Sequence, residues 1–269
     1  TDEIRRRKRS LKSRTTPPGP GTPAAQQASE VFEAIRGKLL WQYPFAEATA
    51  LDAKLSVSEL THRDDEFAQP DLSRAFARRP AAVEKAVAAG KADALSLGSA
   101  VHLILEHVDL SKPVDASAVE RTIDSLIRGG RLEAAVAASI DRGGIAAFFD
   151  TDPGRQALAA GPQTRREWPF TYALDPASVK RGQEPFHSDS DEFIVLQGIV
   201  DMIIPTDAGL VIVDFKTDRV DEKTMHERAG RYAEQLRLYA RAAGEILNRP
   251  VAGTWLYFVL PRRTVPVRM

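Results

Sequence analysis

The sequence predicts a mixed α/β protein: a central mixed sheet flanked by helices, with an Ala-rich helical region toward its N-terminal side. Three observations lead there. Up to Pro162 the apolar residues recur at helical spacing; after it they alternate, or run in short blocks bounded by turn residues. The later blocks come in the order β-β-β-α-β. The last of them follows a long amphipathic segment, so it lies parallel to a strand already in the sheet, because parallel neighbours need a crossover.

Composition sets wide bounds. The 269 residues are 43% hydrophobic and 28% charged, enough for one large domain or two small ones with a sizeable core. Lys plus Arg (37) equals Asp plus Glu (37), so total charge names no partner. The charge is unevenly spread, with a basic block "RRRKRSLKSR" at Arg5–Arg14 and an acidic "DSDE" at Asp189–Glu192. The chain has no cysteine. Disulfides, thiolate zinc sites and iron–sulfur clusters are thereby excluded, and a reducing compartment fits. The apolar runs are too short to span a bilayer, so no membrane partner is expected. The basic N-terminus is not followed by an apolar core, so no signal peptide is expected. The chain opens on Thr1 rather than Met, and we expect a piece of a longer polypeptide.

Residues 1–24, basic and then rich in Pro and Gly, read as a linker or arm. Residues 25–94 form a helical lead-in and 95–269 the core. "QASEVFEAIRGKLL" has helical spacing, with Gly37 as a stop. Ser56 and Glu59 have capping-box spacing and open a helix. Helices follow over about 81–89 and 93–108. Another begins near "DASAVERT", where Ser117 and Glu120 repeat the capping spacing, and stops at Gly129-Gly130. "RLEAAVAASI" and "GRQALAA" are further short helices. "TRREWPFTYAL" alternates and carries aromatics, the mark of a strand. A polar loop, "DPASVKRGQEPFHSDSD", separates it from "EFIVLQGIVDMII", a strand apolar on both faces. Asp207–Gly209 is a hairpin turn into "GLVIVDFKTDRV". "RYAEQLRLYARAAGEILN" is the crossover helix, ended by Asn248 and Pro250, and "VAGTWLYFVL" the last strand. There is no GxxxxGK[ST] phosphate loop, so no ATP site of that type is expected in this chain.

The chemistry collects at the ends of the apolar strands. Residues two apart on a strand share a face, so Asp214 and Lys216 project side by side. Alone, that pair reads as a structural ion pair. Asp201 changes the reading: in a hairpin it and Asp214 straddle the turn at comparable distances and can face each other. Two carboxylates that close repel unless a cation lies between them. Oxygen ligands of this kind suit magnesium or manganese. Gly198, three residues before Asp201, leaves room for another backbone or a substrate. On the crossover helix, Gln235 and Tyr239 are four apart and share a face.

Two apolar strands carrying Asp201, Asp214 and Lys216 resemble the PD-(D/E)xK nuclease fold, a restriction-endonuclease-like core. Gly198 with Asp201, then Asp214-Phe215-Lys216, then Gln235 and Tyr239, resemble its RecB-type members. Gly98 and His102 in "LGSAVHLILEHVDL" supply the GxxxH pattern of that subfamily. "LLWQYPFAEATALDAKLSVSEL" and the order of the later segments look like the nuclease domain of AddA-type (RexA-type) helicase–nuclease subunits, from about residue 38 onward.

The resemblance implies His102, Asp201 and Asp214 as metal ligands, with the Phe215 carbonyl as a further one. It implies Lys216 as the catalytic lysine and Gln235 and Tyr239 as contacts to nucleic acid. Glu167 in "RREWPF" falls near the site, acting through water or by holding the lysine; a structural salt bridge is as good a reading of it. His107 is off the face of His102, and His62, His187 and His226 have no such context. The function implied is magnesium-dependent hydrolysis of DNA phosphodiester bonds, with manganese as a substitute. The DNA would be single strands delivered by a helicase motor of the same polypeptide, alongside an AddB-type partner, in double-strand-break repair in a bacterial cytoplasm. A catalytically silent module of the same fold that binds DNA or a partner is the alternative.

Overall fold

The computed structural model describes residues 23–42, 52–61, 94–175, 178, 193–218 and 220–268. The chain divides into two compact units between Ala50 and Leu51. In the first, helix α1 spans Pro23–Leu39. It carries Gly37 inside its last turn, so this glycine does not stop it; Arg36 and Lys38 there complement the exposed carbonyls. The expected arm (all but its last two residues) and the helix over about 81–89 lie outside the described residues.

In the second unit the elements run β1 (Lys54–Ser56), α2 (Val57–Thr61), α3 (Ala94–His107), α4 (Ala116–Arg128), α5 (Ala134–Ala137), α6 (Arg142–Phe148) and α7 (Asp152–Ala160). Then come β2 (Arg165–Leu174), β3 (Ile194–Thr206), β4 (Gly209–Lys216), α8 (Glu222–Ile246), β5 (Val251–Phe258) and β6 (Arg263–Pro266). The β-β-β-α-β core is as expected, and β5 pairs parallel to β4 across the α8 crossover. Two short edge strands, β1 and β6, are additions.

The sheet is mixed, in the order β1-β3-β4-β5-β6, with β2 also on β3. Strand β3 is its hub. Strand β2 pairs antiparallel with it along residues 194–203. Strand β1 pairs parallel at 195–197 and β4 antiparallel at 202–206. These two must therefore share the other edge of β3, leaving residues 198–201 in a fork between them. Asp201 sits where β4 departs.

Two apolar layers cover the sheet. On one side α3 to α7 pack on Met202, Ile204, Val211, Val213, Phe215 and Tyr257. On the other, α8 packs on Leu196, Val200, Ile203, Leu210, Ile212, Leu256 and Phe258. Strand β4 alternates strictly between the layers, and β5 does so from Trp255 to Phe258; at its start Val251 lies in the α8 layer, where the β4–β5 register shifts. Strand β3 does not: Ile194, Leu196 and Val200 face the α8 layer, whereas Met202 and Ile204 face the other. The facing strand changes over at the same level. Phe170, Tyr172 and Leu174 lie in the α8 layer, while Arg166 donates to Leu105 O and Val108 O at the end of α3. Both switches fall on one cross-strand position, Glu167 opposite Asp201. Glu167 is absent from the ladder and has φ 46°, a left-handed conformation costly for a residue with a Cβ.

Local chemistry sets the helix ends. The Ser56–Glu59 box forms reciprocally, at 2.9 and 3.1 Å, and opens α2. Helix α4 is capped by Asp115, whose Oδ1 accepts from Ala118 N, rather than by Ser117, and ends at Gly129 as expected. Helix α6 is unexpected because Gly143 and Gly144 disfavour helix; Asp141 caps it, and a Cβ on Gly144 would meet Val259 O at 2.7 Å. Helix α8 begins nine residues before the expected segment, at an Asp221–Thr224 capping box.

Gly198 does accommodate a close approach, made within the protein by side chains rather than by a backbone. A Cβ there would lie 2.8 Å from Phe170 Cε1 and 2.9 Å from Val57 Cγ2. Phe170 has little room to retreat, stacked by Trp168 and met edge-on by Tyr239. Gly198→Ala is therefore expected to lower unfolding free energy by about 1–3 kcal/mol, read from urea denaturation.

Candidate active site

The fork gathers polar groups from five elements. His102, on the face of α3 that meets the sheet, is buried, and its Nδ1 lies 3.0 Å from Glu167 Oε1 and 3.5 Å from Asp201 Oδ1. Asp201 Oδ2 accepts from Phe215 N at 2.7 Å. That bond stands where the β3–β4 ladder stops, after Met202↔Val213, so the carboxylate replaces a strand partner for β4. The Phe215 ring packs into the helical layer against Phe148 and Tyr257 and edge-on to His102.

A second row continues on the α8 side. Lys216 Nζ lies 2.8 Å from Asp214 Oδ2 and donates to Gln235 Oε1 at 3.4 Å; Gln235 Nε2 donates to Tyr239 OH at 2.9 Å. All four side chains are buried. The Asp214–Lys216 contact is close but poorly directed, and among the described residues Asp214 Oδ2 has no hydrogen-bond partner.

Burial and crowding set the protonation. Desolvation pushes the Asp201 carboxyl up to about 8, against the pull of His102 and with the repulsion of Asp214 and Glu167. Burial opposes charge on His102, but Asp201 and the Glu167 hydrogen bond outweigh it and raise the imidazole to about 9. Burial likewise opposes charge on Lys216, yet Asp214 and Asp201 raise its pKa, so it stays an ammonium at neutral pH. The cluster thus holds protons where a cation could sit.

His102, Glu167 and Asp201 each offer one ligand atom, all within 4.8 Å of one another. The carboxylate that joins His102 and Asp201 in this set is that of Glu167; Asp214 turns toward Lys216. Sequence reasoning missed a neighbouring group on α8 and the segment after β4: Asp218, Arg228 and Tyr232. Its one signal was spacing, since Tyr232 lies three residues before Gln235 on the same helix. His107 bonds Leu103 O away from the site, His226 is exposed on α8, and His62 and His187 lie outside the described residues.

Among the described residues no helix is long and apolar enough to cross a membrane. The chain is 33% identical over 232 residues to the A subunit of an ATP-dependent helicase/nuclease of Moorella thermoacetica, covering 84% of this chain and 16% of that protein. The protein of the same name in Geobacillus thermodenitrificans is 34% identical over 252 residues, 88% of this chain and 20% of the relative. That of Bacillus licheniformis is 31% identical over 251 residues, 87% and 20%. The chain spans about a fifth of the length of these curated relatives. Residues 72–267 match a protein family across the whole β-β-β-α-β core and the helix that carries His102. Matched over most of its length, the chain belongs to the PD-(D/E)XK nuclease superfamily.

Proposed function

We propose that residues 95–269 form a nuclease core that hydrolyses DNA phosphodiester bonds with a divalent cation, magnesium or manganese. The substrate is a single strand delivered by a helicase motor of the same polypeptide, with residues 1–24 as an arm and 25–94 as the lead-in. The setting we infer is double-strand-break repair in a bacterial cytoplasm, beside an AddB-type partner. The supporting observation is one juxtaposition: a His102–Glu167–Asp201 donor cluster adjoining a buried Asp214–Lys216–Gln235–Tyr239 row.

The residues present suit a hard cation. Two carboxylates and an imidazole converge, and Asp214 Oδ2 is a buried oxygen with no hydrogen-bond partner among the described residues. His102, Asp201 and Asp214 would hold the ion, with Glu167 and the Phe215 carbonyl beside them. When bound, it would activate water and neutralise charge on the phosphate. Lys216 holds a positive charge against the developing negative charge on phosphorus oxygens. Gln235 fixes the ammonium through Oε1 and, with Tyr239, positions the strand. Asp201 keeps β4 in place through Phe215 N, so Asp214 and Lys216 arrive in register.

The test is degradation of an end-labelled single strand, present with Mg2+ and stopped by a chelator. A chain that binds the strand and never cuts it favours a silent module. Cation binding has its own readout. At free Mn2+ a hundredfold above its Kd, unfolding free energy is expected to rise by about 2.7 kcal/mol. Asp214→Asn should shrink that rise, while an unchanged rise places the ion elsewhere.

A further inference from the structure

The ammonium of Lys216 has a third neighbour that the proposed chemistry does not use. Its Nζ lies 4.4 Å from the centre of the Tyr232 ring. Tyr232 is buried on α8, and its hydroxyl donates to Asp218 Oδ2 at 2.7 Å. The same oxygen accepts from Arg228 Nε at 3.1 Å. Asp218 is two residues past Lys216, on the chain leaving β4. It therefore fastens that exit to α8 at two points and holds the ring that faces the ammonium.

We infer that Tyr232, tied by Asp218 and Arg228, is a positioning residue for Lys216. Three groups then define where the charge sits: the Asp214 carboxylate at 2.8 Å, the Gln235 amide oxygen at 3.4 Å and the Tyr232 ring face. Each has a different demand. The carboxylate contact is close but badly directed for a hydrogen bond, and the amide contact is long. Neither alone holds a flexible four-carbon side chain in one place. A ring face attracts the cation without consuming a hydrogen bond, so the ammonium's donors stay available for phosphate oxygens. Asp218 supplies the rigidity, because a ring anchored at its hydroxyl cannot swing away from the strand end. The clamp also divides labour along α8. Tyr232 and Gln235 address the lysine, and Tyr239, one turn beyond Gln235, lies at the far end of the row.

This inference rests on the nuclease reading, and the experiment separates their failures. Single-strand cleavage is measured for the whole chain with Mn2+ in wild type, Tyr232→Leu, Tyr232→Phe, Asp218→Asn and Lys216→Ala. Tyr232→Leu should lower kcat about tenfold with KM for DNA unchanged. Tyr232→Phe keeps the ring face but loses its anchor to Asp218, and should lower kcat severalfold, less than Tyr232→Leu. Asp218→Asn preserves shape, guards against a Leu variant that fails to fold, and should lower kcat severalfold, again without moving KM. A kcat equal to wild type in folded Tyr232→Leu and Asp218→Asn overturns the inference. So does a loss carried by KM, which would make Tyr232 a DNA contact. If those two variants keep full kcat while Lys216→Ala is inactive, positioning fails and the nuclease reading stands. If Lys216→Ala cuts as well as wild type, both fall.

Discussion

Lys216→Ala is expected to lower the cleavage rate about a thousandfold, at the upper end of losing one charge-stabilising donor. The size follows from what the wild-type site holds there. The ammonium is buried, kept protonated by Asp214 and Asp201, and confined by Gln235. Nothing else among the described residues brings a cation next to Asp214. In a buried site the phosphate charge would therefore go unanswered on that side, and interactions there are screened far less than in water. The variant also leaves Asp214 buried without its ion-pair partner, and breaking a buried pair costs about 3–5 kcal/mol where no proton or cation compensates. Lys216→Met keeps the volume and separates the two effects. Circular dichroism at the assay temperature must show both variants folded. Cleavage that survives in folded Lys216→Met removes the lysine from the mechanism.

The sheet core was legible because its signals are local. Alternation gave β2, continuous apolar runs gave β3 and β4, and Asp207–Gly209 gave the hairpin between them. The parallel placement of β5 followed from one crossover. Pairing Asp201 with Asp214 needed only the register of that hairpin, which ends one step short of them. Other features hid for physical reasons. Helix α6 is held by Asp141 and by packing against residues more than a hundred positions away, which outweigh two glycines. The change of face at Glu167 and Asp201 contradicts the period-2 rule on which strand reading rests. It is encoded in no residue type, since a glutamate with positive φ looks like any other. The Asp218 clamp closes across ten and fourteen residues, outside the spacing of any single element.

Asp201 should separate fold from chemistry more sharply than any other position, through two substitutions of opposite character. Its Oδ2 satisfies Phe215 N at the fork. Asp201→Ala leaves that N–H buried and unpaired, so unfolding free energy should fall by about 1–3 kcal/mol, and cleavage should disappear with it. Asp201→Asn keeps an acceptor of the same shape and loses only the charge. In the cation-free protein that loss is mild, because burial already pushes this carboxyl up, and it and His102 hold their protons as a coupled pair at neutral pH. The amide therefore resembles the acid it replaces, and Asp201→Asn should fold nearly as well as wild type while binding Mn2+ weakly and cutting nothing. The pH dependence gives a check that needs no DNA. A carboxyl raised from 3.8 to about 8 holds in the folded state a proton that the unfolded chain has released. Stability then falls as pH climbs through that interval, since folding binds the extra proton. His102, raised from 6.5 to about 9 largely by the Asp201 charge, titrates with that carboxyl as a pair and acts in the same direction: the pair's contribution is gone above 9. Without cation, the wild-type chain should thus lose stability steadily from about pH 4 to 9. Asp201→Asn should flatten the acid half of that slope. Mn2+ should reverse it in wild type alone, because there the cation takes over the place of the protons. A wild-type curve that rises over this range would mean that the cluster is open to water, and the buried donor set with it.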